Sequence, residues 1–89
     1  MKEEGHKRIS AMSGLPADMT ADAPIVTVTG INSLFIENLK GIVEYNSGVI
    51  QIRSKVGMIE IIGRNLLIDS FYGDEMVISG IVSQIIYHR

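Results

Sequence analysis

The run Val49-Ile50-Gln51-Ile52-Arg53-Ser54, followed by Lys55-Val56-Gly57 and then Met58-Ile59-Glu60-Ile61-Ile62-Gly63, decides the fold. In an extended chain, successive side chains point to opposite faces, so Ile50 and Ile52 share one face while Gln51 and Arg53 share the other. Ile59 and Ile61 repeat the inward set, with Glu60 outward. Lys55-Val56-Gly57 closes a tight hairpin between the two runs, because glycine accepts positive φ without steric cost. Arg53 and Glu60 are expected to pair across it. Asn46-Ser47-Gly48 carries the same turn chemistry and joins residues 42–45 to residues 49–54.

Working outward, the texture stays β from Pro24 to Arg89. Isoleucine and valine dominate, and no helical period lasts beyond two turns. The pattern predicts strands near residues 25–29, 33–37, 42–45, 49–54, 58–62, 66–69, 75–79 and 81–87. Glycines at 30, 41, 48, 57, 63, 73 and 80 fall at or beside the gaps and read as turn glycines. The expected class is all-β: a small meander of about seven or eight short strands forming a sandwich, a partly closed barrel or a short solenoid. Several runs do not alternate. Ile61-Ile62, Leu66-Leu67-Ile68, Met76-Val77-Ile78 and Ile85-Ile86 are apolar on both faces, and such strands must be covered on both faces. Either the sheet folds over itself, or its second face is an interface.

Composition bounds the rest. A chain of 89 residues holds one domain, and a core that small calls for an extra stabiliser. There is no cysteine, and the histidines are His6 and His88, so neither disulfides nor a structural zinc is expected. Oligomerisation or docking on a partner is what remains. The net charge of −2, without a basic block, gives no footprint for nucleic acid. No apolar run approaches the ~20 residues of a membrane-spanning helix, and no secretory signal is visible, so a soluble, cytoplasmic chain is expected. Residues 1–23 differ in texture from residues 24–89. They hold seven of the eighteen Asp, Glu, Lys and Arg residues, with no aromatic and no valine, and Gly14 and Pro16 interrupt any helix. They read as an N-terminal arm, flexible or short-helical and a candidate for docking, ahead of an all-β domain at 24–89.

Catalytic chemistry has little to stand on. No serine lies in a Gly-x-Ser-x-Gly elbow, and a triad would have to use His88, one residue from the end of the sequence. The carboxylates sit where a soluble sheet or a turn needs charge, and no Asp-x-Asp-x-Asp loop exists for calcium. Gly57 and Gly63 do not make a phosphate loop, because no Lys-Ser or Lys-Thr comes after them and the next element is a strand. No catalytic, metal or cofactor residue is expected, and no cofactor. The aromatic pair Phe71-Tyr72, read as lying in a polar loop at 70–74, is the candidate partner contact, since two adjacent aromatics there cannot both be buried. An alternative is a small-ligand module with a pocket at one sheet end, near Phe35, Tyr45 and Phe71.

The ordered series Leu15-Pro16-x-Asp18, Phe35-Ile36-Glu37-Asn38-x-x-Gly41, Gly57-x-Ile59-x-Ile61-x-Gly63-x-x-Leu66 and Ile78-x-Gly80-x-Val82 resembles the YabP/YqfC family of sporulation proteins. The resemblance covers the chain from Leu15 to Tyr87, and Leu-Pro-x-Asp favours the YqfC branch. It implies a non-enzymatic structural or adaptor role in endospore development, in spore coat or forespore envelope assembly. It further implies a candidate partner in a membrane-associated sporulation protein of the YqfD kind and a place in the mother cell or at the forespore surface; the small core and the doubly apolar strands add the expectation of a homo-oligomer.

Overall fold

The computed structural model describes residues 22–89, and the expected N-terminal arm at 1–23 lies almost wholly outside them. The described chain is all-β, in six strands: β1 (Ile25–Thr29), β2 (Ser33–Glu37), β3 (Leu39–Tyr45), β4 (Val49–Ser54), β5 (Gly57–Tyr72) and β6 (Glu75–His88). They form one antiparallel sheet in the order β1-β2-β6-β5-β4-β3, which does not close into a barrel. The strands are fewer than the eight expected segments because 58–62 and 66–69 are one strand, as are 75–79 and 81–87.

A single flat sheet cannot hide its own face, yet eight large side chains here are fully buried. The two long strands resolve this by belonging to two sheet halves at once. In one half, β3 pairs with β4, β4 with residues 57–62 of β5, and residues 58–62 in turn with residues 84–88 of β6. In the other, β1 pairs with β2 and β2 with residues 75–79 of β6, which face residues 67–72 of β5. Ile50, Ile52, Ile59 and Ile61 from the first half and Leu34, Ile36, Met76 and Ile78 from the second make one core, with Leu39 and Leu66 at its margins. The sheet folds over itself. That is how strands apolar on both faces are covered at least on the inner one.

The bend lies where β5 and β6 cross, at Gly63, Asn65 and Gly80. The β5–β6 ladder loses register at this point, between Ile62 and Gly63 and again between Arg64 and Leu67. A Cβ on Gly63 would meet the carbonyl oxygen of Ile81 at 1.9 Å. Gly80 has φ 125°, and a Cβ there would stand 2.5 Å from the carbonyl oxygen of Asn65. Both glycines read as turns in the sequence, but they lie inside strands, where two backbones approach too closely for a side chain. Once past the bend, β5 leaves β4: the Gly63 amide donates to Gly48 O and the Leu66 amide to Ser47 O.

The crossing from one half to the other elsewhere is made by a single residue. Asn38, between the end of β2 and the start of β3, sits at φ 66°, and its side-chain amide donates to Ala23 O at 2.8 Å. The next amide, Leu39 N, donates to Asp74 O at 3.1 Å, tying this corner to the β5–β6 turn. Asparagine is among the few non-glycine residues that visit the left-handed region readily. The expected Asn46 turn is present: Asn46 Oδ1 accepts from the Gly48 and Val49 amides at 2.8 and 2.9 Å.

Both corners can be tested by substitution. Gly80→Ala and Gly63→Ala each force backbone apart at the bend and should cost roughly 2–4 kcal/mol by urea unfolding; a loss within experimental error would mean the bend is not constrained there. Asn38→Ala loses both the left-handed preference and the bond to Ala23, whereas Asn38→Gly loses only the bond, so alanine should destabilise by about 1 kcal/mol more than glycine.

Candidate interaction surfaces

Side-chain polar groups on the outer face are mostly committed to one another. The hairpin between β4 and β5 has a turn of two residues, Lys55 and Val56, because Ser54 is paired with Gly57. That register places Gln51 opposite Glu60 and Arg53 opposite Met58, so the expected Arg53–Glu60 pair does not form. Glu60 instead accepts from Gln51 Nε2 at 3.2 Å and lies 2.8 Å from His88 Nε2. The hydrogen bond with His88, and then that with Gln51, holds the Glu60 carboxyl below its ordinary value, against an opposing effect of burial. Asp69 accepts from Ser79 Oγ at 3.0 Å and Glu44 accepts from Asn46 Nδ2 at 3.3 Å. Among the described residues no three His, Cys, Asp or Glu side chains gather to hold a metal ion. None of those residues forms a helix long and apolar enough to cross a membrane.

Sheet edges are blunted. The β3 edge carries Lys40 and two irregularities, between Leu39 and Gly41 and between Ile42 and Glu44, while β1 is only five residues long. Where the bend exposes further edge, side groups and loops cap it: Ile68 N donates to Tyr45 Oη at 3.0 Å, and Val82 N donates to Ile31 O at 2.8 Å.

What remains open is apolar side-chain surface. Phe71 and Tyr72 lie in β5 and not in a loop, since the strand runs on to Tyr72 and the β5–β6 turn is only Gly73-Asp74. Strand alternation sends them to opposite faces. Phe71 stands opposite Met76 on the core side, at 45% exposure, and Tyr72 stands opposite Glu75 on the outer side, at 87%. Phe35 is on the outer face, between Thr27 and Val77, and Tyr45 sits at the end of β3. Phe35 and Phe71 therefore point to opposite sides of their half and do not line the expected pocket. A concavity of about 410 Å³ lies elsewhere, bounded by Val56, Met58, Ile59, Tyr87, His88 and Arg89. Sequence reasoning missed it, because it joins the start of β5 to the end of β6; the one clue was Tyr87, half-exposed among isoleucines.

A small all-β domain, made from one sheet folded on itself and carrying exposed apolar contact surface, is the class these observations define. A family model described as the YabP family matches residues 21–89, and the chain belongs to that family. It is similar to the uncharacterized protein YqfC of Bacillus subtilis (strain 168), with 26% identity over 73 residues, covering 82% of this chain and 78% of that protein. Both matches agree with the YabP/YqfC resemblance carried by the ordered motifs. No solved structure matches. The corner asparagine and the bend glycines, Asn38, Gly63 and Gly80, are among the residues of those motifs.

Acid should act on the Glu60 cluster. A carboxyl whose folded value is lowered contributes stability above its unfolded value and loses it as pH falls through the lowered folded value. The side-chain NMR titration of Glu60 should therefore have its midpoint below that of an unstructured glutamate. Glu60→Gln should flatten the fall in urea midpoint between neutral pH and that range. An unshifted midpoint would show that the contacts to His88 and Gln51 are not maintained in solution.

Proposed function

We propose that this chain is a non-enzymatic structural or adaptor component of endospore development, acting through self-association or partner binding on its β surface. The observation that carries the reading is the apolar surface left uncovered after the sheet has folded, with Tyr72, Ile31, Tyr87, Leu67 and Val56 each more than half exposed. Isolated exposed apolar residues are ordinary, but so many on 68 described residues call for a covering surface. Membership of the YabP family supports the sporulation setting, through the resemblance of its motifs to sporulation proteins. The carboxylates Glu60, Asp69 and Glu44 hold structural bonds, which favours a contact role over acid–base work. Spore coat or forespore envelope assembly in the mother cell fits this role, with a membrane-associated protein of the YqfD kind as a candidate partner.

Light scattering over a range of concentrations should give a mass above one chain at the high end. Tagged full-length protein should also co-purify with a defined partner from sporulating cells, and removing its gene should impair spore formation. A chain that stays monomeric at millimolar concentration, retrieves nothing and leaves sporulation intact would overturn the reading.

A further inference from the structure

Two surfaces of this chain are a protruding acidic tip and a concave groove with basic residues beside it. The first is the tip of the β5–β6 hairpin. Tyr72 is 87% exposed beside a turn of two residues, Gly73 and Asp74, and nothing stands within 4 Å of the position a Gly73 side chain would take. The tip is acidic: residues 69–80 contain Asp69, Asp74 and Glu75 and no Lys or Arg. Glu37 is directly opposite Glu75 on the neighbouring strand and adds to the negative charge at this end of the sheet.

The second surface is the concavity of about 410 Å³ at the other end of β5, walled by Val56, Met58, Ile59 and Tyr87. It lies within the range of roughly 300–1,000 Å³ that accepts small organic groups, and has room for one aromatic side chain. His88 and Arg89 stand at its rim. Lys55, in the adjoining turn, and Arg89, at the rim, are two of the five Lys and Arg residues at positions 22–89, while the Arg53 guanidinium lies against Gly41 on the β3 side. Tip and groove share no residue. They lie at opposite ends of β5, each end held by its own pairing with β6, so the tip does not reach its own groove.

We infer that the Tyr72 hairpin tip of one copy seats in the groove between Val56 and Tyr87 of a second copy. The inference rests on the self-association reading above and specifies its contact. Such a contact joins unlike surfaces head to tail, so each added copy leaves one tip and one groove free, and growth continues unless a ring closes. An aromatic anchor entering an apolar pocket, ringed by opposite charge, has the anatomy of a binding hot spot.

Sedimentation of full-length protein with the single substitutions Tyr72→Ala and Val56→Asp tests it. Both positions are exposed, so each variant should keep its fold, which circular dichroism and an unchanged urea midpoint verify. Each alone should associate about thirtyfold more weakly than wild type. Mixed, they should form a one-to-one dimer and stop, because Tyr72→Ala retains its groove and Val56→Asp retains its tip. Wild-type self-association that both variants keep overturns the contact while leaving the self-association reading standing; this is the result if the groove holds residues 1–21 or a small ligand. Weakened variants that fail to complement each other also overturn it. A wild-type chain that stays monomeric at millimolar concentration removes the contact and the self-association reading together.

Discussion

The close crossing of β5 and β6 at Gly63 and Gly80 is the constraint on which the rest of the structure depends. Six strands in a flat sheet would leave Ile50, Ile52, Ile59, Ile61, Leu34, Ile36, Met76 and Ile78 against water on one face. There is no helix among the described residues to cover them. The bend sets one half of the sheet over the other, and the hydrophobic gain of closing that face is what holds the bend. Each of those eight side chains is worth roughly 1.5–3 kcal/mol when fully buried. A methyl group at either glycine would push apart the backbones that make the closure possible.

The same device explains why so much apolar surface stays outside. Folding a sheet once covers its inner face only, and the outer faces of the two halves, with Phe35, Val77, Ile62 and Ile86, are left partly buried by their own neighbours. The edges, meanwhile, are blunted by bulges, by Lys40 and by caps from Tyr45 and Ile31. Edge-to-edge pairing is thus discouraged while side-chain contact is not. That division is compatible with the proposed contact role, since it discourages aggregation along the strands.

Much of this was legible in the sequence. Residues 25–29, 33–37 and 49–54 are strands as read, because turn residues bound each of these short apolar runs, with clean alternation in 49–54. The bend was not legible: a glycine between two strands and a glycine inside one bent strand look alike until the carbonyls of Ile81 and Asn65 are known to pass there. A register two residues away from the expected one moved the partner of Glu60 from Arg53 to Gln51, and register cannot be read from Lys55-Val56-Gly57 alone. Phe71 and Tyr72 stood out as an aromatic pair, yet reading them as loop residues hid the alternation that sends them to opposite faces. The groove was invisible, since its walls come from chain segments some thirty residues apart.

The pairing of β2 with β6 has a consequence for how the chain is made. Residues 33–37 find their inner neighbour only in residues 75–79, about forty residues later. On the ribosome, β1 and β2 emerge first as a lone two-stranded ribbon, and such ribbons are at best marginally stable in water. Its apolar face, with Leu34 and Ile36, waits until nearly the whole domain has been synthesised. Residues 39–62, by contrast, form three neighbouring strands through short turns and can organise as they appear. The first strands out are therefore the last to be buried, and the interval before β6 arrives is when this chain is most open to capture by a chaperone or to misassociation with another nascent copy.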